Sequence, residues 1–340
     1  MDVLTAIPKL DLHVHLIGSV RPATLAELAA GAGIPLPAPA DGLYRRINSH
    51  PTEEEERNGP WFPLLRIYEL ICSCLQTEDD FARVAYEALE DGLRSSGVVY
   101  QELAFSPSVH MALGVPYPTV ARGLARGIQA ARQDMGVDGA LIAAVNREDT
   151  AAAAIEMASA VAEFPLEEVV AIGIDFDERL GPPQKFREAF TIAERAGLHR
   201  TAHAAEHVPG GEYLRYCLDT LHCERIDHGY YVLDDDALVS RSRDEGIVFN
   251  VAFTTSRRKL RPWRRSSVKA MVDRGLRVTI NSDDPALFPT TVAEEMRIAV
   301  SSAGLTVPQV LSAVDNSIDA AFLDASAKKS LRARVSSVVG

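Results

Sequence analysis

Leu10-Asp11-Leu12-His13-Val14-His15-Leu16 is the first apolar run of the chain, and its reading decides the architecture. In an extended strand, side chains two apart share a face. His13 and His15 therefore project together, and Leu10, Leu12, Val14 and Leu16 are expected on the opposite side, beneath covering helices. A lone histidine in a core is ordinarily structural. Two at i and i+2 on one strand point toward a metal, because imidazole nitrogens are the commonest zinc ligands.

Seven further apolar, β-branched runs follow: Val98 to Phe105, Ala140 to Val145, Val169 to Phe176, Leu198 to His203, Arg225 to His228, Ile247 to Val251 and Arg277 to Asn281. Between them lie helix-length segments such as Asp79 to Ser96, Val120 to Met135, Asp149 to Glu163, Pro183 to Ala196 and Ser266 to Arg274, several stopped by a glycine. Parallel strands need helical crossovers, and a closed sheet has no edge to protect, so eight strand-then-helix units predict a (β/α)8 TIM barrel. An open doubly wound sheet is the alternative. The stretch Arg21 to Gln76 reads as extra helices inserted between the first and second strands, over the rim of the barrel. No linker divides the chain, so residues 1–340 read as one domain.

Composition narrows the function. At 340 residues, 47% hydrophobic and 24% charged, the chain reads as globular. Its 47 acidic against 35 basic residues, a net charge of −12, disfavour nucleic acid or an anionic membrane as partner and favour a small molecule. Whether it oligomerises is not legible. Four cysteines (Cys72, Cys74, Cys217, Cys223) match neither a disulfide framework nor zinc knuckles, and no leader or long apolar span appears, so a cytoplasmic location is expected.

Histidines and acids recur where later strands end: His203 in His203-Ala204-Ala205-Glu206, His228 in Asp227-His228-Gly229, and Asp283-Asp284 in Asn281-Ser282-Asp283-Asp284-Pro285. The C-terminal ends of all barrel strands converge on one mouth, so these distant residues can meet. Taken singly, Asp284-Pro285 is a good turn starter and His203 an ordinary buried imidazole. Jointly those readings need several coincidences, and a mononuclear metal site needs one.

At these residues the sequence resembles the adenosine/adenine deaminase family of the amidohydrolase superfamily. Pro8 to Leu16 is similar to its opening strand, Phe105-Ser106-Pro107 to its second-strand end, and His203-Ala204-Ala205-Glu206 to its HAGE segment. Arg225 to Gly229 and Asn281 to Ala286 complete the set, and the similarity runs from about Pro8 to the Asn316 to Leu323 region. The resemblance implies one zinc ion held by His13, His15, His203 and Asp283, and hydrolytic attack on C6 of a 6-aminopurine. It further implies that Glu206 protonates the ring N1, that His228 takes or orients the proton of the attacking water, and that Asp284 serves N7 or the departing ammonia. The H-x-E…P-C-x-x-C motif of cytidine-type deaminases is absent, as are Walker A, G-x-G-x-x-G, H-E-x-x-H and G-x-S-x-G motifs.

Departures from the family pattern fall in the parts expected to face substrate, namely Ile17, Phe105, Asp175, Phe176, Ala205, Arg257, Arg258 and Arg261. Ile17 stands where the family has Asp in HLDG, or Glu in adenine-specific relatives. Ala205 replaces the glycine of HAGE, and Asp175-Phe176-Asp177-Glu178 replaces the fourth-strand turn. Plain adenosine is therefore not the expected substrate. Arg257 to Arg265 holds six cations in nine residues, and with the carboxylate lost at position 17 it suggests a nucleoside or nucleotide bearing an anionic group. Thr52 with Glu53 to Glu56 reads as a solvated helix start, and Trp61-Phe62 as cavity lining or packing beneath it. Two other functions share this pattern: zinc-dependent hydrolysis of a non-purine lactone, amide or phosphoester, and a binding protein on a retained scaffold.

Overall fold

A computed structural model describes residues 3–48, 62–254 and 263–339. Eight strands alternate with helices: β1 Lys9–His15, β2 Val98–Phe105, β3 Asp138–Asn146, β4 Val169–Asp175, β5 His199–Ala204, β6 Arg225–His228, β7 Val248–Val251 and β8 Arg277–Ile280. Each pairs in parallel with the next, in the order β1 to β8. Their bounds fall within two residues of those expected, because each is an apolar run bounded by a turn. Beyond β8 the chain returns to β1. The His15 amide donates to the Asp283 carbonyl at 2.8 Å, and the Asp283 amide to the His13 carbonyl at 2.9 Å. The sheet is thus a (β/α)8 barrel.

Helices Glu78–Ser96, Tyr117–Met135, Ala151–Glu163, Arg187–Arg195, Glu212–Asp219, Asp236–Asp244 and Trp263–Asp273 connect successive strands from β2 onward, the first of them leading into β2. Thr77 and Asp80 start the first of these with a reciprocal capping box, the Asp80 amide donating to Thr77 Oγ1 at 3.2 Å and the Thr77 amide to Asp80 Oδ2 at 2.8 Å. Among the described residues, three inserted helices, Pro22–Ala32, Ala40–Asn48 and Phe62–Cys74, stand between β1 and the helix Glu78–Ser96. The last packs against the 3-10 turn Ile17–Ser19 and so lies over the mouth. Thr52, Glu53 to Glu56 and Trp61 fall outside the described residues.

One expectation for β1 is corrected. Asp11 pairs with Gln101 and Val14 with Leu103, leaving Leu12 and His13 together opposite Glu102 alone. This β-bulge shifts the alternation by one residue. Asp11 and Val14 now share a groove with Gln101, Ala88 and Gly92 beneath the helix Glu78–Ser96. Leu10 and Leu12 instead pack with Tyr100, Ile318, Ala321 and Leu331 at the N-terminal end of the barrel. His13 and His15 still turn together.

That end is closed by a buried ion pair. Arg225 and Glu102 are essentially inaccessible to solvent. The Arg225 Nη2 donates to Glu102 Oε2 and, at 3.3 Å, to the Leu12 carbonyl, while Nη1 donates to the Ala320 carbonyl at 3.0 Å. Glu102 Oε1 accepts from the Tyr100 hydroxyl at 3.1 Å and the Phe322 amide at 2.7 Å. The guanidinium lies 4.1 Å from the centre of the Phe322 ring. Removing one member leaves the other buried and uncompensated, which costs about 3–5 kcal/mol. Glu102→Gln and Arg225→Met are each expected to lower unfolding free energy by about that amount in urea titrations, and the double substitution to recover part of it.

Candidate active site

Four donor groups from opposite sides of the barrel converge at its C-terminal mouth. His13 Nε2 lies 3.1 Å from His203 Nε2, and His15 Nε2 lies 3.2 Å from the same atom. Asp283 Oδ1 stands 3.6 Å from His13 Nε2 and 3.5 Å from His15 Nε2. Two nitrogens bound to one tetrahedral zinc at about 2.1 Å would be about 3.4 Å apart, so this donor set fits such an ion. His203 is buried, and that burial, reinforced by His13 and His15, holds its pKa well below the ordinary histidine value. It is therefore neutral, the form in which imidazole binds a metal.

An outer layer of groups orients these rings. His13 Nδ1 faces the Asn250 carbonyl at 3.3 Å, His15 Nδ1 faces Asp175 Oδ2 at 3.9 Å, and His203 Nδ1 faces Asp227 Oδ2 at 3.5 Å. Asp227 is held in turn by the Asn250 amide at 2.7 Å. Burial raises the Asp175 pKa to about 6 against the opposing pull of His15 and the Ser106 hydroxyl.

The backbone is strained where the site is built. Five non-glycine residues have positive φ among the described residues, and four of them end strands at the mouth: Phe176 (68°) after β4, Ala205 (54°) after β5, His228 (68°) closing β6 and Asp283 (63°) after β8. Such conformations persist only where the surroundings over-determine them, and they cluster at functional sites.

The mouth encloses a cavity lined by His15, Tyr68, Asp175, Phe176, Asp177, His203, Glu206, His207, His228, Asp283 and Asp284. Glu206 Oε2 lies 3.6 Å from His228 Nε2 and 3.1 Å from His207 Nδ1. His228 Nδ1 faces the Tyr230 hydroxyl at 3.2 Å, and that hydroxyl donates to the Ala252 carbonyl at 2.9 Å. The Tyr68 hydroxyl donates to Asp284 Oδ1. His13, His203 and His228 also satisfy the spacing of a metal triad, so the cluster contains one more imidazole than the sequence-derived ligand set.

Of the residues expected to face substrate, Asp175 and Phe176 line this cavity. Ile17, Phe105 and Ala205 do not. Ile17 is 5% and Phe105 2% exposed, and both pack in the main core. Ala205 is fully buried and contributes through its backbone. Arg257, Arg258 and Arg261 lie outside the described residues.

Several functional-site residues carry no sequence motif. Tyr68 comes from the inserted helix Phe62–Cys74, in which nothing distinguishes it from a packing aromatic. Arg147, fully buried after β3, donates from Nη2 to the His203 carbonyl at 2.5 Å and from Nε to the Asp175 carbonyl at 3.2 Å. It bridges β4 and β5 where their pairing, Ala171 with His199 and Ile172 with Arg200, has ended. Glu178 accepts four backbone N–H groups of the turn after β5. Glu295 likewise accepts the Phe253 and Thr254 amides after β7, at 2.5 and 3.1 Å.

The φ of Ala205 gives a direct test. A left-handed conformation costs a non-glycine residue about 1–2 kcal/mol, and glycine loses about 0.5–1 kcal/mol more backbone entropy on folding than alanine. Ala205→Gly is therefore expected to stabilise the fold by about 0.5–1 kcal/mol in urea unfolding.

Comparison with known proteins agrees with the site. The adenosine deaminase family profile matches residues 8–338. An adenine deaminase of Bordetella parapertussis is 33% identical over 325 residues, covering 94% of this chain and 98% of that protein. The crystal structure of an adenine deaminase from Arthrobacter aurescens superposes with a TM-score of 0.89 at 30% identity, covering 98% of this chain and 99% of that one. An amidohydrolase from Burkholderia ambifaria with bound zinc gives 0.88 at 31% identity, covering 98% and 91%. With its barrel, its histidine and carboxylate cluster and this similarity along nearly its whole length, the chain belongs to the adenosine deaminase family and is a hydrolytic deaminase.

Proposed function

We propose that the protein hydrolyses the exocyclic amine of a 6-aminopurine, releasing ammonia and the 6-oxo purine, with adenine or an adenine derivative as substrate. The convergence of His13, His15, His203 and Asp283 on one point, beside Glu206, His228 and Asp284 in a single cavity, carries this reading. The 33% identity to proteins named adenine deaminases supports the purine.

In this reading those four residues hold one zinc ion, as the bound zinc of the Burkholderia relative supports. When bound, the ion supplies hydroxide at neutral pH by lowering the pKa of water from about 15.7 toward 7. Glu206 donates a proton to N1, so that negative charge does not accumulate on the ring during attack at C6. His228, whose Nε2 is 3.6 Å from Glu206 Oε2, accepts the proton of the attacking water. Asp284, held by the Tyr68 hydroxyl, bonds the N7 edge or delivers a proton to the departing ammonia. Proton transfers of this kind contribute about 10² to 10⁴ each.

A second reading, a substrate carrying phosphate or carboxylate, is favoured by the run Arg257 to Arg265 in a chain of net charge −12. The burial of Ile17 within the core removes the companion argument from that position.

Chelator-treated protein is expected to lose ammonia release from adenine and to regain it with one zinc equivalent per chain. Activity that survives complete metal removal would refute the zinc reading. His13→Ala is expected to abolish metal retention, and Glu206→Gln to lower kcat about 10² to 10⁴-fold with metal retained. Comparing kcat/KM for adenine, adenosine and AMP separates the substrates. An AMP preference that vanishes in Arg258→Ser and Arg261→Ser would establish the anionic reading.

A further inference from the structure

Glu178 is wholly buried, and among the described residues no cation forms an ion pair with it. Its Oε1 accepts the Ala205 amide at 2.7 Å, and its Oε2 accepts the amides of Glu206 at 2.9 Å, His207 at 2.7 Å and Val208 at 3.0 Å. Four consecutive N–H groups pointing at one carboxylate form a concave anion-binding nest, here filled from within the chain. The nest requires the chain to turn sharply, and Ala205 makes that turn at φ 54°. Alanine resists this conformation, whereas glycine adopts it freely.

Glu178 is itself fixed. Gly181 lies so close to the Arg147 backbone that a Cβ there would stand 2.0 Å from the Arg147 carbonyl oxygen. Arg147 in turn binds the carbonyls of Asp175 and His203. The turn carrying Glu206 is therefore anchored to the β4 turn at both of its ends, at the His203 carbonyl and at the amides that follow.

We propose that Glu178 is a positioning residue for the reaction: its carboxylate holds the Ala205 to Val208 turn in a strained conformation that aims Glu206 at the purine ring. The inference rests on the role given to Glu206 under the proposed function. Displacement of a reacting group by about 1 Å costs on the order of 10²-fold in rate. An amide at position 178 would present a donor to amides that need an acceptor, and so release the turn. With the anchor gone, an alanine at 205 favours departure from the left-handed conformation, whereas a glycine tolerates it.

The test uses the zinc-loaded full chain as wild type, Glu178→Gln, Ala205→Gly and the double variant. Glu178→Gln is expected to lower kcat about 10²-fold with KM and bound metal nearly unchanged. In the double variant kcat should be about fivefold or more above that of Glu178→Gln, after division by whatever change Ala205→Gly makes in the wild-type background. Loss of packing alone would show no such rescue. A Glu178→Gln enzyme within about threefold of wild type, or one that Ala205→Gly leaves unimproved, overturns the proposal. Should Glu178→Gln not fold, Glu178→Asp retains the charge on a shorter arm. In it the amides of Ala205 to Val208 should exchange hydrogen at least about tenfold faster than in wild type, and unchanged protection overturns the proposal. If wild type releases no ammonia from any adenine compound, the functional reading fails, while the exchange measurement still decides whether the clamp exists.

Discussion

The site depends on how the barrel closes. Two backbone hydrogen bonds, from the His15 amide to the Asp283 carbonyl and from the Asp283 amide to the His13 carbonyl, lock residues 270 and 268 positions apart in the chain into one ladder. They straddle Val14, the residue bridged to Asp283, and set the Asp283 carboxylate beside both imidazoles. The fourth donor, His203, reaches the same point from across the barrel because β5 stands opposite β1 in an eight-stranded ring. Chain closure and the gathering of these four side chains are thus one geometric event.

Around the mouth, charged side chains do what sheet pairing cannot. Strand pairing stops before the strand ends do, as the short β4 to β5 ladder illustrates, and the carbonyls and amides beyond it need partners. Arg147 supplies donors to two of those carbonyls, while Glu178 and Glu295 supply acceptors to the amides of two turns. At the opposite end, Arg225 and Glu102 bind each other and three backbone groups. Each of these five buried ionic groups binds backbone N–H or C=O groups. Phe176 and Ala205, both at positive φ, lie next to Arg147 and Glu178, in turns beyond the ends of β4 and β5.

The fold was largely legible in the sequence, since parallel barrel strands are buried on both faces and read as continuous apolar runs, and since glycines such as Gly97 and Gly136 mark the helix ends. The convergence of His13, His15, His203 and Asp283 was legible as well, because barrel topology alone gathers strand ends. The bulge in β1 was not, because a two-residue alternation shows no break in Leu10 to His15. Glu178 and Arg147 were hidden for a different reason: their partners are backbone atoms, which leave no trace in residue types. Analogy of position puts Ile17 and Phe105 at the substrate, whereas each is buried in the core.

The bulge opposite Glu102 divides β1 into two halves with independent phase. Its lower half, through Leu10 and Leu12, belongs to an apolar plug at the base of the barrel, and its upper half presents two ligand-type rings to the rim. An extra residue absorbed between them uncouples the composition of the plug from that of the rim. Mutational drift in the base can then proceed without rotating the histidines, and new chemistry can be grafted at the rim without reshaping the base.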